Sequence, residues 1–95
     1  MAVGLRLSFS TLTLDDYDAV CEALNFPGDW PDGLVAHGSH EADGHLVVND
    51  VWESRGQFDR FVQERLQGAM GQAIGDRAEE PEVVERELHT FYTRG

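Results

Sequence analysis

The pair Asp43-Gly44 constrains the fold of this chain most. Asp-Gly between two runs of alternating residues is a strong signal for a β-hairpin with a tight turn. The runs 34–40 and 46–53 flank the pair and are predicted to be the two strands of the hairpin. Both alternating sets of these strands are largely apolar, so both faces of the hairpin require burial. One set contains Val35, Val48 and Trp52, and the other contains Leu34, Ala36, Val47 and Val51.

A strand and a helix are predicted before the hairpin. Residues 5–10 alternate between apolar and polar side chains, which is typical of a half-buried strand. Thr13 suits a helix N-cap, and the acidic residues after it suit the positive end of the helix dipole. The prolines and glycines of 26–33 then predict a loop with Phe26 and Trp30 as aromatic anchors. The apolar stripe of the helix has helical spacing and consists of Leu14, Tyr17, Val20, Cys21 and Leu24.

A second helix and a last strand are predicted after the hairpin. Ser54 and Gln57 have the spacing of a capping box, which marks the start of the helix. Its apolar stripe continues until Gly75 and the polar stretch that follows. Residues 82–93 are rich in β-branched and aromatic side chains and predict the fourth strand. The elements therefore follow the order strand, helix, strand, strand, helix, strand.

This order predicts a ferredoxin-like βαββαβ fold of the α+β class, formed by residues 1–95 as a single domain. Right-handed crossovers place both helices on one face of the four-stranded antiparallel sheet. The other face is then left without a cover, although the hairpin is apolar on both sides. A self-complementary contact would cover it, so we expect a homodimer that forms through the free face of the sheet.

The charge of the chain argues against two classes of partner. Its 18 acidic residues outnumber 7 basic ones, for a formal net charge of -11. Nucleic acids and anionic membranes are therefore not expected to bind, because their affinity depends on Lys and Arg. No leader-like N-terminus or long apolar run is present, so we expect a cytoplasmic protein. Cys21 lies on the apolar stripe and is expected to be a small buried side chain.

The run from Asp50 to Ser54, followed by Phe58 and Phe61, resembles the dimeric α+β barrel superfamily. The chain is similar to its antibiotic biosynthesis monooxygenase-like proteins, in which a strand ending in Trp-Glu-Ser often leads directly into a helix with regularly spaced aromatic residues. The resemblance implies a dimeric α+β barrel. It also implies one of several activities, including cofactor-independent oxygenation of aromatic polyketides, haem degradation and lactone isomerisation, or no known activity. Asn49 and Trp52 have opposite parity, which does not fit the haem-degrading members, and no cofactor is expected.

His37 and Asp50 are the candidate catalytic residues. A two-residue turn places them directly opposite each other, with Val35 opposite Trp52 on the same face. A four-residue loop would shift this register but preserve the face. A carboxylate beside an imidazole fixes its tautomer and favours its protonated form, as a general base requires. A structural cross-strand hydrogen bond explains the same pair.

Four more side chains are predicted to bind substrate in a cleft between helices and sheet, namely Tyr17, Trp30, Trp52 and His89. Aromatic core packing explains Tyr17 and Trp30 equally well. His89 and Tyr92 have opposite parity on the last strand, and the pattern does not decide which of them faces the cleft. No metal site is expected, because His37 and His40 lie at an odd spacing on one strand and point to opposite faces.

Three functions remain open from the sequence. The first is a small-molecule-binding homodimer, whose ligand would be a small aromatic compound. The second is a cofactor-independent monooxygenase, in which a histidine removes a proton from an aromatic or polyketide substrate and the substrate anion reduces oxygen. The third is a structural or regulatory dimer without a ligand, which requires the cleft to be filled by the side chains of the protein.

Overall fold

The computed structural model describes residues 2–92 and 94 and contains a four-stranded antiparallel sheet. The strands are β1 (Val3–Ser8), β2 (Leu34–Ala42), β3 (His45–Trp52) and β4 (Glu82–Glu87), in the spatial order β2-β3-β1-β4. Helix α1 (Leu14–Leu24) connects β1 to β2. The second crossover consists of α2 (Arg55–Phe61), a π-helical segment (Val62–Leu66), α3 (Gln67–Ile74) and a short 3-10 turn (Gly75–Arg77). The predicted ferredoxin-like α+β fold is confirmed.

The helices pack on one face of the sheet, which we call the inner face. Alternate residues of β1 and β3 point to this face and form most of the core with side chains of the helices. The outer face carries the other set of each strand, including Arg6, Asn49, Val51 and Val84. The buried side chains of the core are Val3, Leu5, Leu7, Leu34, Leu46, Val48 and Trp52 from the sheet, Val20, Phe58, Ala69, Met70 and Ile74 from the helices, and Phe9 and Leu12 from the connection between β1 and α1.

The hairpin has the predicted two-residue turn. Asp43 and Gly44 both have positive φ, at 53° and 79°, and Ala42 pairs with His45. Two consecutive residues with positive φ match the right-handed twist of the strands, which explains why Asp-Gly occupies this turn.

A β-bulge at Val35 corrects one predicted contact. Leu34, and not Val35, lies opposite Trp52, and the register is irregular between Leu34 and Ala36. The extra residue moves Val35 out of the regular alternation, and 41% of its surface is exposed. Beyond the bulge the predicted register is restored, with His37 paired to Asp50.

The two helix starts differ in how completely they are capped. The Thr13 hydroxyl accepts from the Asp16 N–H at 3.2 Å, and the Asp16 carboxylate accepts from the Thr13 N–H at 3.0 Å, which completes a capping box. The Ser54 hydroxyl accepts from the Gln57 N–H at 3.2 Å. However, the Gln57 side chain bonds to the Ser54 hydroxyl and not to its backbone, so half of the predicted box forms.

Strand β4 ends earlier than predicted. It was expected to continue to Thr93, which lies outside the described residues, but it ends at Glu87. Glu87 pairs with Val3, and the Leu88 N–H still donates to the Ala2 carbonyl at 3.1 Å. Among the described residues, the pairing of β4 with β1 therefore extends from Glu82 to Glu87.

Two carboxylates tie the β1–α1 connection to the segment before β4, a cluster that the sequence analysis missed. Arg77 donates two hydrogen bonds to Asp16. Glu79 accepts from the N–H and hydroxyl groups of Ser10 and Thr11 and from the Leu12 N–H, at 2.7–3.2 Å. Donors from Arg77 lower the pKa of Asp16 to about 2, and the donors from Thr11 and Ser10 outweigh burial and lower the pKa of Glu79 to about 2.

Among the described residues, no helix is both long enough and apolar enough to cross a membrane.

Candidate functional site

Four side chains form a continuous hydrogen-bonded chain beneath the helices. The Trp52 indole N–H donates to Asp50 Oδ2 at 3.1 Å. His37 Nδ1 lies 2.6 Å from Asp50 Oδ1, and His37 Nε2 lies 2.6 Å from the Tyr17 hydroxyl. The chain therefore connects α1 to both strands of the hairpin, and we call it the relay.

Each member of the relay is positioned by regular secondary structure. Asp50 and Trp52 are two residues apart on β3, so both point to the inner face. The antiparallel pairing places His37 of β2 opposite Asp50. Tyr17 reaches the relay from the buried side of α1. Sites built on strands and helices hold their side chains more precisely than sites on loops.

The relay is shielded from solvent. The side chains of His37 and Asp50 are 16% and 6% exposed, and Trp52 is 1% exposed. The Tyr17 ring stacks on the imidazole with 5.9 Å between ring centroids, and the Phe26 ring meets it edge-on at 4.8 Å. Burial raises the pKa of Tyr17 to about 12, so its hydroxyl keeps its proton at neutral pH.

An apolar cavity of about 80 Å³ adjoins the relay and lies between the helices and the inner face. Tyr17, His37 and Asp50 lie at its polar side. Most of its other lining side chains are aliphatic or aromatic, and they include Leu7, Val20, Phe26, Val48, Phe61 and Met70. A cavity with apolar walls and a few convergent polar groups is the usual form of a small-molecule site.

The structure brings together four of the six predicted site residues. Tyr17, His37, Asp50 and Trp52 form the relay and line the cavity. Trp30 is 46% exposed, donates its indole N–H to the Leu34 carbonyl at 2.7 Å and does not line the cavity. His89 lies beyond the end of β4, is exposed and is likewise not among the lining residues. Tyr92, the alternative to His89 on the last predicted strand, is 86% exposed.

Phe26 and the π-helical segment are parts of the site that the sequence analysis did not identify. Phe26 contacts both His37 and Trp30, so it stands where Trp30 was expected. Phe61, just before the π-helical segment, and Leu66, its last residue, line the cavity. π-Helical turns inside α-helices are frequent at functional sites. Phe26 lies two residues after the end of α1, but no residue pattern distinguished it from Trp30, and none marked the π-helical segment.

The described residues contain no group of three or more His, Cys, Asp or Glu side chains arranged to hold a metal ion. Cys21 is half-buried beside the cavity, and burial raises the pKa of its thiol. A raised pKa keeps the thiol protonated and makes it a poor nucleophile.

No family model and no curated protein matches this chain. Solved structures do, over nearly the full length. Rv0793 from Mycobacterium tuberculosis has a TM-score of 0.68 and 17% identity, covering 98% of this chain and 100% of that one. A putative antibiotic biosynthesis monooxygenase from Chloroflexus aurantiacus has a TM-score of 0.68 and 16% identity, with 100% of both chains covered. SnoaB from Streptomyces nogalater, a cofactor-independent oxygenase, has a TM-score of 0.63 and 12% identity, covering 98% and 97%.

These structures confirm the resemblance in fold to antibiotic biosynthesis monooxygenase-like proteins. At such low identities the likeness extends to the fold alone, because one fold serves many functions.

Proposed function

We propose that this protein is a homodimer that binds a small molecule in the cavity beneath its helices. The relay is the observation that carries the proposal. A carboxylate and an imidazole beside an apolar cavity are costly to bury, and a well-packed core of the same size would be formed more cheaply by apolar residues. Their position at the edge of a cavity supports a role in holding a ligand.

The cavity also favours binding over a purely structural dimer. A structural role would be served by a filled interior, whereas about 80 Å³ stays open next to His37. Ligand pockets usually measure about 300–1,000 Å³. The ligand is therefore small, or the loop that begins at Phe26 and the π-helical segment move apart when it enters.

Filling the cavity is expected to abolish binding while the fold persists. Val20→Phe places a ring in the cavity from α1, where Val20 is 8% exposed. We expect the affinity for any bound compound to fall at least about tenfold, because the ring occupies the volume that the ligand needs. The measurement is ligand-observed NMR with a library of small aromatic compounds. Val35→Phe makes the same change at an exposed site and should bind normally. Equal binding by both variants would place the ligand elsewhere.

A cofactor-independent monooxygenase is the second candidate, and the orientation of His37 by Asp50 favours it. In this reaction an acidic carbon of an aromatic substrate gives its proton to the Tyr17 hydroxyl, which passes its own hydrogen to His37 Nε2 at 2.6 Å, and the resulting substrate anion reduces oxygen. One oxygen atom replaces two hydrogens of the carbon as a carbonyl, and the other leaves as water, so no external reductant is needed.

Oxygen uptake tests the second candidate. The protein is incubated with hydroxylated polycyclic aromatic compounds in air, and oxygen consumption is followed with an electrode. We expect uptake by the native protein to exceed that of His37→Ala by at least about a hundredfold, the usual scale of general-base catalysis. Equal rates for the two proteins would exclude the reaction for these substrates.

The homodimer is supported by the outer face of the sheet. No described helix covers this face, and the partly exposed apolar side chains of Val51 and Val84 lie on it. Light scattering at micromolar concentration should give twice the 10.6 kDa of the chain. Val84→Glu should shift the mass toward the monomer because it introduces a charge into the contact, whereas Leu14→Glu at the exposed start of α1 should not. A native mass of 10.6 kDa would contradict the proposal.

A further inference from the structure

Most polar side-chain atoms that line the cavity already form hydrogen bonds within the protein. Besides the relay, the lining includes the polar side chains of Asp16 and Cys21. Both oxygens of Asp16 accept from Arg77, and one also accepts from the Thr13 N–H. Cys21 forms a side-chain hydrogen bond with Tyr17 and is only a weak donor or acceptor. A ligand must therefore find its main polar contact in the bonding capacity that the relay leaves free.

The direction of the relay follows from the chemistry of its members. An indole can only donate, and a carboxylate can only accept. Asp50 therefore accepts from Trp52 and from His37, which must carry its hydrogen on Nδ1. At a pH where the imidazole is neutral, its Nε2 atom accepts, and the Tyr17 hydroxyl donates its single hydrogen to it.

This direction consumes every hydrogen on the polar side chains of the relay. What remains at its end is the acceptor capacity of the Tyr17 oxygen, which also has the Ser39 and Cys21 side chains as neighbours and which can accept but not donate. A ligand hydroxyl or N–H group can bond to this oxygen. An ether or ketone of the same shape would place an acceptor against an acceptor and leave its own oxygen unpaired.

Charge restricts the ligand further. Two carboxylates, Asp16 and Asp50, are among the lining residues, and the lining contains no arginine. The whole chain carries a formal net charge of -11. An anionic ligand would have to lose its hydration in an apolar cavity without a positive partner, which is costly.

We propose that the cavity selects an uncharged ligand that donates one hydrogen bond from an otherwise apolar body about the size of a single ring. The inference rests on the proposed function and specifies the ligand class of the same site. The size follows from the cavity, since about 80 Å³ is near half the ~150 Å³ that admits benzene, so even one ring requires some movement of the walls.

Three compounds of matched shape test the selection, namely 4-methylphenol, 4-methylanisole and 4-methylbenzoate. Affinities are measured by ligand-observed NMR at pH 8, where an ordinary imidazole is neutral and an ordinary phenol is protonated. We expect 4-methylphenol to bind about tenfold more tightly than 4-methylanisole, and 4-methylbenzoate not to bind. Binding in a different order overturns the inference alone. No binding by any of the three, together with no hit from the aromatic library, overturns the proposed function as well.

Two variants test the direction of the relay. His37→Phe frees the Tyr17 hydrogen for donation to a ligand, so the preference for the phenol should fall to within about twofold. This variant leaves Asp50 with one donor fewer and risks unfolding. Tyr17→Phe provides the second measurement, because it exposes His37 Nε2 as the open acceptor and should keep the tenfold preference. Loss of the preference in Tyr17→Phe, or its persistence in folded His37→Phe, would show that the direction is wrong.

Discussion

Trp52→Ala is expected to lower the free energy of unfolding by about 3–5 kcal/mol, the usual range for removing a buried aromatic side chain. Trp52 is 1% exposed and packs against Phe58 and Phe61, with ring centroids 5.6 and 5.5 Å away. Its removal also takes from Asp50 the indole donor at 3.1 Å. The loss is large compared with the about 5–15 kcal/mol of a typical domain. Urea denaturation followed by circular dichroism measures it.

Two controls separate the contributions of Trp52. Trp30→Ala makes the same substitution at a side chain that is 46% exposed, and it should cost less than about 1.5 kcal/mol. Trp52→Phe keeps most of the packing but removes the donor to the buried carboxylate, and it should cost about 1–3 kcal/mol. Equal losses for Trp30→Ala and Trp52→Ala would show that the relay end of the sheet is not part of the core.

Acid is expected to remove about 2–4 kcal/mol of stability through Asp16 and Glu79 together, after allowance for the solvent exposure of Arg77 and Glu79. Folding lowers the pKa of Asp16 from 3.8 to about 2 and that of Glu79 from 4.5 to about 2. Between these values the unfolded chain binds more protons than the folded one. The stabilisation is therefore complete above about pH 5 and is lost as the pH falls toward 2.

Glu79→Gln should reduce this acid dependence, because the amide does not titrate. Its amide oxygen can accept some of the five hydrogen bonds, so the variant should remain folded at neutral pH. The midpoint of urea unfolding is compared at pH 7, 4.5 and 3 for the native protein, Glu79→Gln and Glu80→Gln. Glu80 is an exposed neighbour, and its substitution should leave the native pH profile unchanged. A native profile that is flat between pH 4.5 and 3 would contradict the expectation.

The position of His37 opposite Asp50 was predictable because it depends on local rules. The Asp-Gly turn has two residues, so counting outward from it gives the pairing of β2 with β3. The same counting fails beyond Ala36, where the bulge adds a residue to β2 and exchanges Val35 for Leu34. No residue pattern in this strand marks the bulge.

Trp30 and Phe26 show why loop side chains were harder to place. Both are aromatic and both lie between α1 and β2, so neither spacing nor composition distinguishes them. Phe26 turns inward against His37, while Trp30 packs on Phe26 from outside and bonds to the Leu34 carbonyl. The path of the loop backbone decides which of the two rings points toward His37, and no residue periodicity predicts that path.

By itself, the sequence determined the order of the strands and helices, the hairpin turn, the start of α1 and the facing pair His37 and Asp50, because these depend on contacts within a turn or between paired strands. Tertiary structure alone decided the Tyr17 end of the relay, the end of β4 at Glu87 and the carboxylate cluster around Arg77. Each of these joins residues distant in sequence or depends on whether a partner is present. Such interactions are set by how the elements pack and leave no repeating pattern in the chain.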